Sequence, residues 1–173
     1  MNVASPVAKS VIQMDPQELR DLKGRIRDLN EDYAWVLDNQ ELNAWPKFFT
    51  EDCLYRAISR ENFDEGLPHA TLYCDGLNMV KDRSLALQET AVFEPRHQKR
   101  FVSGVRVLGR EGGEILSSAN FQVVESMSDR EPRILFVGSY HDRIVEIDGA
   151  LKFKERSAVF DNYRVYTSLV IPI

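Results

Sequence analysis

The chain has 173 residues, 43% hydrophobic and 28% charged, the balance of an ordinary globular protein of about one domain. Its 22 basic and 27 acidic side chains leave a net charge of -5, which argues against nucleic acid or an anionic membrane as partner, because both select clustered positive charge. No apolar run approaches the ~20 residues of a membrane span, and two cysteines with three histidines give little capacity for an iron–sulfur or zinc site.

Residues 1–14 carry a single lysine, Lys9, and no continuous apolar stretch, so they read as an N-terminal arm rather than a secretory leader. Cys53 and Cys74 lie in neither a Cys-x-x-Cys nor a Cys-x-His arrangement, and reduced thiols in a cytoplasmic protein are the expectation. No Gly-x-Gly-x-x-Gly, phosphate-binding loop or Gly-x-Ser-x-Gly occurs. Chemistry performed by this chain alone would be cofactor-free acid–base work.

The first helix is announced by Asp15-Pro16-Gln17-Glu18, a capping carboxylate followed by proline at the first helical position and an acid three residues on. Leu19, Leu22, Ile26, Leu29, Tyr33 and Val36 recur at helical spacing and predict one buried stripe. Asp38 with Glu41 repeats the capping pattern, and Leu42, Trp45, Phe48 and Phe49 predict a short apolar helix bent at Pro46. The aromatic residues of this helix are expected in the core.

Period-two alternation begins at Leu54-Tyr55-Arg56-Ala57-Ile58, a first strand ended by a polar loop over residues 59–69. A third helix is expected from Asp75 as cap, with Leu77, Val80, Ser84 and Leu87 inward. Residues 101–108 and 114–125 read as strands joined by a glycine-containing hairpin loop. Residues 134–147 and 150–160 are strands joined by Asp148-Gly149, a strong hairpin signal, and residues 165–173 supply a last apolar strand. Helices segregated from a long antiparallel meander mean α+β, with the helices on one face of the sheet. The expected organisation is an arm over residues 1–14 and a single domain over residues 15–173.

Several segments together resemble the small (beta) subunit of the Rieske-type aromatic-ring-hydroxylating dioxygenases. They are Tyr33-Ala34-x-Val36-Leu37-Asp38, Leu42-x-x-Trp45-x-x-Phe48-Phe49-Thr50-Glu51-Asp52-x-x-Tyr55, Asp82-Arg83, Glu94-Pro95-Arg96-His97-Gln98-Lys99-Arg100, Gly149-Ala150-Leu151-Lys152 and Glu155-Arg156 through Val159-Phe160-Asp161-Asn162. The segments around Glu61-Asn62-Phe63 and Asp75-Gly76-Leu77 look most like partners of hydroxylases for aromatic acids such as salicylate, anthranilate or terephthalate. The resemblance implies a nuclear-transport-factor-2-like (cystatin-like) cone, a curved antiparallel sheet with helices on its concave face. It implies a non-catalytic structural subunit, with the Rieske iron–sulfur cluster and the mononuclear iron in a separate large (alpha) oxygenase subunit. It also implies a trimer of small subunits within a hetero-hexamer, supplied with electrons by a separate reductase.

A different reading stands beside it, a stand-alone cofactor-free lyase, isomerase or cyclase of the same fold. Its candidate groups are Tyr33, Asp38, Tyr55, His97 and His141, where a buried acid or base would abstract a proton and a tyrosine would polarise a carbonyl. A small-molecule binding or scaffold module is a third option. Glu94-x-x-His97 has the spacing of a carboxylate-bridged iron motif, but Pro95 interrupts any helix and no second copy exists. Arg83, Arg96 and Arg100, with Asp82, Glu94 and Asp161, are candidates for ion pairs within the sheet–helix layer or across a subunit boundary, since the guanidinium fork meets a carboxylate with two hydrogen bonds. Leu169, Ile171 and Ile173 are too apolar for water and are expected to complete the sheet or meet another chain.

Overall fold

The computed structural model describes residues 14–89, 95–165, 169 and 171–173. Helix α1 spans Pro16–Asp38, and its N-terminus is capped by the Asp15 carboxylate, which accepts from the Gln17 and Glu18 amides at 2.9 and 3.2 Å. Leu22, Ile26, Tyr33 and Val36 are buried as the stripe predicts, joined by Asn30, Ala34 and Leu37, whereas Leu19 is 38% exposed. Asp38 is the last residue of α1 and caps no second helix. A 3-10 turn, Trp45–Phe48, replaces the expected short helix, because Pro46 leaves room for only one turn before the chain extends.

Strand β1, Phe49–Ser59, begins earlier than the alternation indicates, since Phe49 already pairs with Phe153. The presumed polar loop contains helix α2, Arg60–Asp64, with the Ser59 hydroxyl accepting from the Asn62 amide, and then a short strand β2, Leu72–Asp75. Asp75 therefore ends a strand, and helix α3 runs over Leu77–Glu89 with Val80, Ser84 and Leu87 buried. Strands β3 (Arg96–Glu111), β4 (Glu114–Met127), β5 (Arg130–Ile147) and β6 (Ala150–Phe160) form the long meander, β3, β4 and β5 each extending beyond the predicted limits. The β5–β6 turn is closed by Asp148 at φ 51 and Gly149 at φ 79, the left-handed pair that a two-residue hairpin needs.

The six strands form one sheet in the order β2-β1-β6-β5-β4-β3. All neighbours are antiparallel except β1 with β6, which run parallel because the chain returns to the start of the sheet after the meander. Bulges in each long pairing bend the sheet around α1, whose buried face joins Tyr55, Phe121, Tyr140 and Phe153 in one core. Helix α2 departs from the expected arrangement. It packs on the opposite face, where Phe63 stacks on His141 at 4.8 Å between ring centres and Arg60 donates to the Ser139 hydroxyl.

Of the expected last strand, residues 166–168 and 170 lie outside the described residues, as do nearly all of the arm and Glu94 of the Glu94-x-x-His97 spacing. The described residues near the end of the chain are not in a strand. Ile171 and Ile173 instead insert into the core beneath α1.

Candidate functional site: the interior of the cone

Alternation decides which side chains face inward. On β5, Tyr140, Asp142 and Ile144 are buried, and on β6 Phe153, Arg156, Ala158 and Phe160 are buried. Two of these inward positions carry opposite charges. Arg156 donates through Nε and Nη2 to the two Asp142 oxygens at 3.0 and 2.9 Å, and both side chains are shut away from water. Nη2 also donates to Asn30 Oδ1, and Asn30 is held in place by its own donation to the Ile26 carbonyl at 2.9 Å. The guanidinium lies over three rings, at 3.7 Å from the centre of Phe153, 4.0 Å from Tyr140 and 4.3 Å from Tyr33. Aromatic faces and a carboxylate together replace the water that the cation has lost.

A second polar seam runs from the β3 edge into the cone. Glu125 accepts from Arg133 at 2.9 Å, from Arg96 at 3.2 Å and from Gln98 at 3.3 Å. Burial works to raise the Glu125 carboxyl, but the hydrogen bonds from Arg133 and Gln98 and the charge of Arg96 outweigh it and hold it below the usual range. Gln98 passes the seam to Arg100, whose Nη1 meets Asp38 at 2.6 Å and whose Nη2 donates to the Pro172 carbonyl. The Arg100 amide also donates to Asp38, so the end of α1 covers part of the free edge of β3.

The seam ends on the inserted segment. Tyr33 and Tyr55 both donate to the Ile173 main-chain oxygen, at 2.9 and 3.1 Å, and the Ile173 amide donates back to the Tyr55 hydroxyl at 2.9 Å. Trp45 Nε1 donates to the Tyr33 hydroxyl at 3.2 Å. Burial pushes the phenols of Tyr33, Tyr55 and Tyr140 above their ordinary value, which keeps all three protonated.

The five candidate acid–base residues therefore do not share a pocket. Tyr33 and Tyr55 meet inside the cone, Asp38 is tied to Arg100 at its edge, and His97 and His141 project from the other face of the sheet. Burial, with the nearby Arg60 charge, lowers the His141 imidazole from its ordinary value. Arg96 and Arg100 are buried in ion pairs with Glu125 and Asp38, while Asp161 pairs with Arg60. Arg83 donates to the Leu169 carbonyl, so it holds the same terminal segment that Arg100 holds. Ile171 and Ile173 are buried by their own chain. The Asp142–Arg156 pair escaped the sequence reading, although both residues fall on inward positions of two strands joined by a recognisable turn.

The described residues do not suit a metal centre. Among the described residues no three His, Cys, Asp or Glu side chains are placed to hold one ion. Burial pushes the Cys53 thiol up to about 11 and raises Cys74 as well, which leaves both poor in the thiolate form that binds iron or zinc. No helix of the described residues is long and apolar enough to cross a membrane.

The outer face of the sheet contrasts with the interior. Phe101 on β3 and Val137 on β5 flank Gln122, and Ile134 lies one row on beside Val124. Phe101 is 60%, Ile134 57% and Val137 42% exposed. Phe101 and Val137 line a shallow depression of about 310 Å³ together with Phe121 and Gly138.

A curved sheet closed over helices into a cone defines the nuclear-transport-factor-2-like class of α+β domain. Within that class the chain belongs to the ring hydroxylating beta subunit family, which matches residues 32–167. It is similar to the small subunit of anthranilate 1,2-dioxygenase from Burkholderia cepacia, 34% identical over 84% of this chain and 90% of the relative. It is also similar to a beta subunit of the terephthalate 1,2-dioxygenase terminal oxygenase component from Comamonas sp, 33% identical over 86% of this chain and 97% of the relative. A solved structure described as the beta subunit of an aromatic-ring-hydroxylating dioxygenase from Novosphingobium aromaticivorans superposes with a TM-score of 0.80 at 34% identity, covering 89% of this chain and 98% of that one. The resemblance read from the sequence is thereby borne out.

Proposed function

We propose that the chain is the structural small subunit of a multicomponent dioxygenase that adds dioxygen to an aromatic, carboxylated substrate. The observation that carries this is the state of the cone. Its interior is filled by Ile171 and Ile173, and its buried charges are spent on one another in the Asp142–Arg156 and Asp38–Arg100 pairs. A lyase or isomerase needs a base facing an open cavity, and the two histidines offered for that role face away from the interior. The Rieske cluster and the mononuclear iron then belong to a large subunit, to which the small subunit supplies a rigid surface. Names of relatives that act on anthranilate and terephthalate favour an aromatic acid as substrate.

In this reading three small and three large subunits form a cytoplasmic hetero-hexamer fed by a reductase, with residues 15–173 as one domain preceded by an arm. Arg83 and Leu169 act at the subunit boundary through the terminal segment that Ile171 and Ile173 anchor in the core, and Arg96 and Arg100 stiffen the adjoining β3 edge. The exposed row of Phe101, Ile134 and Val137 is added to these as a contact face. The test is co-expression with a large subunit of an aromatic-acid dioxygenase. The two chains are expected to elute together in fixed ratio, with iron confined to the large chain. Separate elution, with the large chain alone hydroxylating at undiminished rate and stability, overturns the reading.

A further inference from the structure

Two surfaces of opposite charge lie on either side of the outer edge of β3. On the helical side Trp35 is 64% exposed near the end of α1. One turn back along the helix stand Glu31 and Asp32, with Asp28 a further turn away, all exposed. Arg27 answers Asp28 and Glu31, which leaves this face with an excess of acid. Trp35 and Val102 of β3 line a hollow of about 190 Å³. On the sheet side Phe101, the next residue of the same strand, walls the depression together with Val137. Between them lie the neutral side chains of Ser103, Asn120, Gln122 and Ser139, and the carboxylate of Asp161 is answered by Arg60. Lys99 and Arg106 flank this stretch of β3, paired across to Val124 and Ser118, and both are exposed. Among the described residues neither takes part in an ion pair.

We propose that these surfaces are the two halves of one head-to-tail contact between copies of this chain, with Trp35 of one protomer seated in the Phe101–Val137 depression of the next. Glu31 and Asp32 then face Lys99 and Arg106. The occupant follows from charge and chemistry. A depression with apolar walls, a neutral floor and a basic rim suits an aromatic side chain set among acids, and α1 presents that combination. Tryptophan is also among the side chains that carry most of the energy of a contact. Two depressions brought face to face would set Lys99 and Arg106 against their own kind, so a two-fold pairing of the sheets is disfavoured. Because the halves differ, the contact is heterologous and runs from copy to copy until it closes a ring. The inference names where the small subunits of the proposed assembly meet. It rests on that reading only for the presence of several copies, and its test uses this chain alone.

Sedimentation velocity of the full chain from about 1 to 100 µM, in low and in high salt, reads the contact directly. The chain is expected to form an oligomer of more than two copies that loosens as salt rises. W35A, and separately K99E with R106E, are each expected to weaken association at least tenfold. I134D, outside the depression, is expected to leave it within about twofold. E31K with D32K is expected to weaken association as well, and mixing that variant with the K99E, R106E chain is expected to restore it, because reversed charges again face each other. The substituted side chains are all exposed, and circular dichroism is expected to show the parent fold in each. A chain that stays monomeric throughout, a dimer that grows no further, W35A at the parent affinity, or no rescue on mixing overturns the proposal. None of these outcomes touches co-elution with a large subunit, which tests the assembly itself.

Discussion

Replacing Asp142 by asparagine keeps the shape of the interior and removes one charge of its central pair. Arg156 is then left with Asn30 and three aromatic faces, all of which it already has, and with an amide that can accept from only one of the two nitrogens Asp142 now satisfies. Both side chains are closed to solvent, so water cannot take over. Removing one partner of a buried ion pair costs about 3–5 kcal/mol. For a domain of this length each kcal/mol lowers the melting temperature by roughly 2–4 °C, so D142N is expected to melt about 6–20 °C lower. R156M is expected to cost a similar amount, because it strands the carboxylate.

The double substitution D142L with R156M is expected to lie within about 1 kcal/mol of the parent chain, since a methionine among Tyr33, Tyr140 and Phe153 packs without needing a partner. Urea unfolding followed by circular dichroism measures the parent chain, the two single variants and the double variant. A loss below about 1 kcal/mol for D142N would refute the reasoning, as would a double variant less stable than both singles, because either result means that the pair is not sealed from water.

Other consequences can be checked on the same chain. Glu125 is held below the usual carboxylate range in the folded state, so its contribution is complete above about pH 4.3 and is lost as pH falls through the folded value. E125Q should therefore flatten the acid limb of a melting-temperature profile between pH 5 and 3 while lowering stability at pH 7. A methyl group on Gly138 would lie 2.0 Å from the Val159 carbonyl oxygen and 2.8 Å from Phe160 Cα, and G138A is expected to cost about 3 kcal/mol or more in urea unfolding, because backbone cannot move aside as a side chain can. Pairing F101D with I134D changes two exposed side chains, so unfolding should shift by no more than about 1 kcal/mol. Gel filtration with the large subunit should show co-elution weakened at least tenfold in apparent affinity if that face carries the contact.

The elements legible from sequence are those whose signals are local. The Asp15 cap, the α1 stripe and the Asp148-Gly149 turn each depend on a few adjacent residues, and each forms where the pattern places it. Elements decided by distant partners were not legible. Strand β2 is four residues long and exists because β1 offers it an edge. Leu169, Ile171 and Ile173 carry the apolar pattern of a strand, yet donors from Tyr33, Tyr55, Arg83 and Arg100 supply the segment with hydrogen bonds that a sheet would otherwise provide. Helix α2 hides in a polar stretch because its ties to the sheet, Phe63 on His141 and Arg60 on Ser139, join residues distant in sequence.

The buried ion pair shows most sharply where sequence reasoning stops. Counting outward from the Asp148-Gly149 turn, Ile147 faces Ala150 and Ile144 faces Phe153, and an unbroken ladder would set Asp142 opposite Glu155, two acids in one cross-strand pair. The ladder instead shifts by one residue between Arg143 and Ile144, so that Arg143 meets Glu155 and Asp142 meets Arg156. A single extra residue on β6, Lys154, converts a like-charge clash into an attraction and turns Arg156 inward, because a one-residue slip moves every later side chain to the other face. Lys154 itself bonds Glu114 at 2.7 Å, a residue that also takes Arg143. The bulge is thus fixed by contacts across β4, β5 and β6 that no pair of adjacent residues could announce, and the interior of the cone follows from it.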